Sequence, residues 1–236
     1  MEPWQGPVCS RCGQPFPSGR ALDAASGLCG ECRGGEFRFD MARSYGLYRG
    51  PLRKAILQLK FRRQERLGKK LGGLLAATWG TLSEALHDSP ALLVPVPLHR
   101  VRERERGFNQ AELLARGLAR ALSHSWPGVP PKVECGVLCR IRATPPQTGL
   151  STAARHENVR GGFSVTSPER VHDRVIVLVD DVMTTGATLS ACASALKAAD
   201  ARSVLALALA RATPEFPDFD LQDTGSAVDD FSSARS

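Results

Sequence analysis

The sequence predicts an α/β protein, a parallel sheet covered by helices on both faces, with a small metal-organised ribbon at its amino-terminal side. Three observations carry that expectation. Short apolar runs at Leu92–Val96, Val175–Val179 and Val204–Leu209 read as strands buried on both sides. Helical patterns alternate with them, as parallel βα units require. Four cysteines fall into two pairs, Cys9-x2-Cys12 and Cys29-x2-Cys32, separated by 16 residues.

Along the chain the ribbon comes first. Each pair places two thiolates on one turn, and two such turns facing each other make a tetrahedral site of the structural zinc type. The residues between are rich in Gly, Pro and Ser, so residues 1–37 have too small a core to fold without the metal. A thioredoxin-like redox pair would show one CxxC beside a βαβ pattern, not two. Four cysteines leave no open coordination position, so Cys9, Cys12, Cys29 and Cys32 are read as ligands of structural Zn2+. Cys135, Cys139 and Cys192 lie apart among apolar neighbours and are expected to be buried small hydrophobes. Arg33-Gly34-Gly35 is the expected joint to the main domain, residues 38–212.

In that domain Pro51 suits the start of a helix whose Leu52, Ile56 and Leu59 recur at helical spacing, flanked by Arg53, Lys54 and Lys60. Lys60 and the neighbouring Arg62 and Arg63 suit either phosphate contact or a solvated helix face. A second helix is expected over about Leu67–Leu86, then the strand Leu92–Val96. His99–Gly107, with four arginines in seven positions, is expected as a basic loop at that strand's carboxyl end. Asn109 followed by Glu112 marks an N-cap with a reciprocal carboxylate, opening a helix to about Leu122. Val137–Ile141 reads as a strand, Ser151–Asn158 as a short helix and Thr188–Ala199 as a longer one before the closing strand. Residues 213–236 are expected as an acidic flexible tail, with 6 acidic residues and 1 basic one from Pro214 onward.

The 236 residues carry a formal charge of +7, and 42% are hydrophobic, which excludes global disorder. The charge is polarised, with 16 basic and 6 acidic residues between Arg43 and Arg120. No apolar run approaches the roughly twenty residues of a bilayer span. The start, MEPWQGPVCSRC, lacks a signal-peptide pattern, so a reducing cytoplasmic setting without disulfides is expected.

The stretch from Val175 to Thr188 is the most informative. It joins a buried strand to Asp180 and Asp181, then to a loop of hydroxyls and glycine, then to a helix. Ligands of open α/β sheets bind at the carboxyl ends of strands, where the two aspartates fall. Backbone N–H groups of Thr185, Gly186, Ala187 and Thr188, at a helix N-terminus, favour a phosphate dianion. No Lys follows the glycine, so this is not a Walker A loop. Two carboxylates beside an anion site repel the anion unless the ligand also offers hydroxyls. A ribose 5-phosphate meets both demands, with its diol on the carboxylates and its phosphate on the loop.

Val179-Asp180-Asp181-Val-Met-Thr184-Thr185-Gly186-Ala187-Thr188 closely resembles the phosphoribosyl-diphosphate-binding motif of type I phosphoribosyltransferases. The wider chain resembles the ComF (competence protein F) family of that fold, over nearly everything before residue 212. The resemblance includes the four-cysteine knuckle, Tyr48-Arg-Gly-Pro-Leu, Val94-Pro-Val-Pro97, Arg104-Glu-Arg106-Gly-Phe-Asn-Gln110 and Arg140-Ile-Arg142-Ala-Thr144 with Gln147. It implies a type I phosphoribosyltransferase-like sheet that binds phosphoribosyl diphosphate (PRPP) with Mg2+. Thr184, Thr185, Gly186, Ala187 and Thr188 would hold the 5-phosphate, Asp180 and Asp181 the diol, and Arg104 and Arg106 the pyrophosphate. The stretch Arg140–Arg155 resembles the mobile hood of that fold, although a static Pro-Pro turn describes it equally well. Arg142 in it joins the two aspartates as an expected catalytic group.

Two further roles stand beside phosphoribosyl transfer. The family's link to competence implies an accessory protein that binds PRPP or a nucleotide without turnover and docks a helicase through the knuckle. Single-stranded DNA is a third ligand that the basic half would attract. Only 6% of residues are aromatic, however, and no base-stacking pattern is evident.

Overall fold

Five parallel strands build the core, in the order β1-β7-β6-β2-β3. They are β1 (Met41–Leu47), β2 (Leu92–Pro95), β3 (Lys132–Val133), β6 (Val175–Met183) and β7 (Ser203–Arg211). A short antiparallel ribbon pairs β4 (Leu138–Arg140) with β5 (Phe163–Val165). This computed structural model describes residues 1–35, 37–61, 64–86, 90–142, 161–213 and 216. The expected helix at Ser151–Asn158 and, apart from Thr213 and Phe216, the expected tail lie outside those residues.

Strands buried on both sides need two apolar faces, and alternation along β6 and β7 supplies them. Val175, Val177, Val179, Leu205 and Leu207 face one layer. That layer holds α2 (Gly50–Phe61), α3 (Glu65–Leu74), α4 (Ala76–Trp79), α5 (Ser83–Leu86) and α7 (Gln110–Ser125). Ile176, Leu178, Val204 and Ala206 face the other. It contains α8 (Ala187–Ala198), the β4–β5 ribbon and the cysteine knuckle with its single helical turn α1 (Gly30–Arg33). The knuckle therefore shares one continuous core with the sheet. Helices α3 and α7 meet backbone to backbone: a Cβ on Gly117 would lie 2.4 Å from the carbonyl oxygen of Lys69.

Several elements differ from the sequence expectation. β1 carries no strong alternation, and its pairing with β7 and cover from both layers select it. The helix expected over Leu67–Leu86 is broken into α3, α4 and α5, with a 3-10 turn at Gly80–Leu82, along a run weakened by Gly72, Gly73 and Gly80. Glu112 does not close a capping box. The Asn109 side chain does accept from the Ala111 N–H, but Glu112 pairs with Arg116 at 2.7 Å. Cys192 is buried as expected, whereas Cys135 and Cys139 are partly exposed.

Asp40 ties the start of β1 to its neighbours. Its carboxylate accepts from Lys197 Nζ (2.8 Å), Ser203 Oγ (2.9 Å) and the Val204 N–H (2.8 Å). Burial alone would raise this carboxyl, but these donors outweigh it and hold it below the ordinary carboxylate range. The stabilisation is complete above the unfolded carboxyl value of about 3.9 and is lost as pH falls through the lower folded value. Asp40→Asn should therefore cost about 1 kcal/mol at neutral pH, a figure reduced for solvent screening. In denaturant titrations the gap between variant and wild type should close below about pH 3.9.

Candidate functional site

β6 lies between β2 and β7, and the connections on its two sides leave by opposite faces. The helix following β6, α8, crosses one face, while α6 (Arg100–Arg106) and α7, following β2, lead to the other. The crevice between the carboxyl ends of β2 and β6 is thus the switch point at which open α/β sheets bind ligands. β2 stays paired with β6 only to Val179, whose carbonyl accepts from the Val96 N–H at 2.9 Å. Asp180 and Asp181 are the first residues of β6 beyond that pairing.

Successive strand residues point to opposite faces, yet the two carboxyl groups remain close enough to interact directly as well as through charge. Asp181 faces the α2 layer. It is 4% exposed and pairs with Lys60 Nζ, 2.8 Å from its Oδ2. Asp180 faces the α8 layer, where it acts electrostatically on Arg140 and Cys192. Its Oδ1 accepts from the Asp181 N–H at 2.8 Å. Dense surrounding protein, and then the charge of Asp181, raise the Asp180 carboxyl well above its ordinary value, although part of its surface stays open.

The loop turns into α8 through Gly186, at φ 77°. A Cβ there would meet Met183 Cε at 2.8 Å and Phe37 Cε1 at 2.9 Å, so the site needs glycine for conformation and for space. Thr184, Thr185 and Thr188 are partly exposed around the N-terminus of this 12-residue helix. The positive end of the helix dipole and the loop N–H groups make the crevice favourable for an anion.

The basic segment after β2 is a helix, not the expected loop. The His99 ring accepts from the Val101 N–H, Gly107 closes the helix at φ 75°, and Arg and Glu are good helix formers. Helical geometry re-sorts the arginines, because Arg102 and Arg106 share a face one turn apart. Arg106 is partly buried, donates to Gln110 Oε1 at 2.8 Å and lies within electrostatic reach of Asp181. Arg104 is exposed and falls on the other side of α6. Asn109 Nδ2 donates to the Val96 carbonyl at 3.0 Å, so this residue fixes α7 to the end of β2 as well as capping it. Arg140 stacks over Phe163, 5.5 Å from the ring centroid, and is influenced by Arg102 and Asp180. Arg142 is exposed two residues further on; Gln147 and the rest of the expected hood lie outside the described residues. The crevice therefore gathers Asp180, Asp181, residues 184–188, Lys60 and Arg106, with Arg102 and Arg140 added. The helical repeat between His99 and Gly107 was the signal for Arg102.

A phosphoribosyl transferase domain matches residues 107–230, more than half of the chain. Competence protein F of Haemophilus influenzae is 32% identical over 208 residues, covering 87% of this chain and 85% of that protein. The chain belongs to the competence protein F family. DNA utilization protein YhgH of Escherichia coli is 32% identical over 219 residues, with coverage of 86% and 90%. Competence protein ComFC of Bacillus subtilis is 28% identical over 197 residues, with coverage of 81% and 72%. A hypoxanthine phosphoribosyltransferase structure from Staphylococcus aureus aligns with 70% of this chain and 76% of its own at a TM-score of 0.38 and 13% identity.

In this family member the cysteine knuckle bears directly on the Gly186 loop. The Sγ atoms of Cys9, Cys12, Cys29 and Cys32 lie within 4.8 Å of one another, and all four residues are buried. The Cys29 N–H donates to Cys9 Sγ at 3.3 Å. Four thiolates around a divalent ion leave a net charge of −2, and Arg211 and Arg43 lie within electrostatic reach to offset it. Arg211 is 3% exposed and donates from Nε and Nη2 to Gln14 Oε1. This donor set fits a closed structural Zn2+ site. From inside the first pair, Arg11 Nη2 donates to the carbonyls of Phe37 (2.8 Å) and Phe39 (3.3 Å). Phe37, stacked on Phe39, is the residue packed against Gly186. The Arg38 N–H donates to Ser190 Oγ in α8 at 3.0 Å. Chelation of the knuckle metal should therefore raise amide hydrogen exchange across residues 184–190 more than in α7. Phe37→Ala should do the same with the metal retained, at a cost of about 3 kcal/mol. Unchanged exchange at the loop would show that the knuckle is an independent appendage.

Proposed function

We propose that the chain binds PRPP with Mg2+ and transfers the phosphoribosyl group to a nitrogenous acceptor, releasing pyrophosphate. The observation that carries this reading is the meeting of a carboxylate pair and a helix N-terminus at the β2–β6 switch point. Membership of a phosphoribosyl transferase domain family supports it. Thr184–Thr188 hold the 5-phosphate, and Asp180 and Asp181 accept hydrogen bonds from the ribose hydroxyls. Arg106, with Arg102 on the same face, attracts the diphosphate, while the exposed Arg104 contributes only at longer range. Arg142, exposed two residues beyond β4, is the further catalytic group of this reading.

In the reaction an acceptor nitrogen bonds to C1 as the C1–O bond to the diphosphate breaks. The electron pair leaves with pyrophosphate, and the acceptor releases its proton to water. Mg2+ bound with the diphosphate would supply neutralisation of the leaving-group charge. The protein's own contribution is positioning and fixed electrostatics. The free thiols of the described residues suit the reducing cytoplasmic setting.

A second reading follows from the names of the relatives, which concern competence and DNA utilization. In it the same crevice binds PRPP without turnover, and the chain serves DNA uptake by docking a helicase or binding single-stranded DNA. The two readings separate on pyrophosphate release with a panel of nucleobases. Release supports the transferase, and saturable PRPP binding without release supports the accessory role. In both, Asp180→Asn and Asp181→Asn should each weaken PRPP binding at least about tenfold by calorimetry. Single-stranded DNA binding that survives the double variant and falls steeply with salt would instead place DNA on the basic helices.

A further inference from the structure

Lys60 closes the last turn of α2, on a helix whose Leu52, Ile56 and Leu59 are packed into the core. The sequence left it either a phosphate contact or part of a solvated face. The face is not solvated in this structure. Its ammonium sits 2.8 Å from Asp181 Oδ2, with only 22% of the lysine side chain and 6% of the aspartate side chain exposed. Burial alone would lower the lysine, but the Asp181 carboxylate beside it outweighs burial and keeps it above its ordinary value. Placing two charges this deep is costly, and an apolar residue at position 60 would extend the apolar surface of α2 without that cost. The contact bears directly on the placement of Asp181.

Around it, Arg106 approaches Asp181 from α6, Asp180 from the same strand, and Tyr48 lies near Lys60 at the end of β1. Lys60 takes one carboxylate oxygen from the interior side. That oxygen is Oδ2, at 2.8 Å. We propose that Lys60 is a positioning residue for the ribose contact: it pins Oδ2 of Asp181 so that Oδ1 meets a sugar hydroxyl. This inference rests on the reading that Asp181 contacts the ribose of PRPP. It gives the pair a role in sugar selectivity, because a hydroxyl held by a fixed charged acceptor is discriminated from a missing one.

The test is calorimetric binding of PRPP, ribose 5-phosphate and 2-deoxyribose 5-phosphate to the full chain with Mg2+. Wild type, Lys60→Met, Lys60→Arg, Asp181→Asn and the Lys60→Met/Asp181→Asn double variant are compared, with thermal melts of each. Lys60→Met should bind PRPP about tenfold more weakly and lose most of the preference for ribose over deoxyribose. Lys60→Arg should stay within about threefold of wild type. The double variant should regain the melting temperature lost in Lys60→Met, since no charge is left buried alone, but not the affinity or the ribose preference. Recovery of affinity in the double variant would show that the Asp181 carboxylate is not the ribose contact and would overturn the inference. So would a Lys60→Met protein with wild-type affinity and selectivity while Asp181→Asn loses binding, which would leave the PRPP reading standing. Failure of the wild type to bind PRPP would overturn both.

Discussion

At the carboxyl end of β6 the chain enters α8 through a single left-handed residue. Gly186 holds φ 77°, and Met183 and Phe37 occupy the space that any side chain there would need. A residue with a Cβ would have to move the strand end, the loop or the knuckle segment. This turn brings Thr184–Thr188 around the helix N-terminus within a few residues of the aspartates. It also makes Phe37 the floor of the loop, and Arg11 holds Phe37 from within the first cysteine pair. A fold of this kind can carry many activities on one sheet. The Gly186 loop and the cysteine knuckle are bound to one another here by packing, whatever ligand the loop serves.

The charges follow the same logic. Like charges on adjacent residues are unfavourable in a poorly solvated crevice, and the charge of Asp181 accordingly raises the Asp180 carboxyl. Cations surround the pair: Lys60 contacts Asp181 and also acts on Asp180, with Arg106 near Asp181 and Arg140 near Asp180. The crevice is therefore neither acidic nor simply basic. It offers acceptors at the strand end and donors along its rim, a pattern suited to a ligand with hydroxyls at its centre and phosphates at its ends. The excess of positive charge in the amino-terminal half acquires a local use in that arrangement.

Much of this could be read in the residues themselves. The apolar runs that became β2, β6 and β7, the cap at Asn109 and the loop Thr184–Thr188 are each specified by local chemistry, and the paired cysteines announced a clustered site. β1 was hidden because its side chains hardly alternate; only the neighbouring β7 selects it. α6 was hidden because arginines near a strand end suggest a loop, although His99 and Gly107 mark both ends of a helix. That misreading paired Arg104 with Arg106, where a helical repeat pairs Arg102 with Arg106. Lys60 could not be placed from its own surroundings at all. Its partner lies 121 positions away in the chain, and only the packing of α2 on the sheet brings them together.

The most direct test of the central claim is a crystal structure of the protein with PRPP and Mg2+. The 5-phosphate should lie within hydrogen-bond distance of the backbone N–H groups of Gly186, Ala187 and Thr188, the ribose hydroxyls should face Asp180 and Asp181, and the diphosphate should extend toward Arg102 and Arg106. PRPP seated away from the β6–α8 loop, or a fully soaked crystal with that crevice empty, would contradict the account.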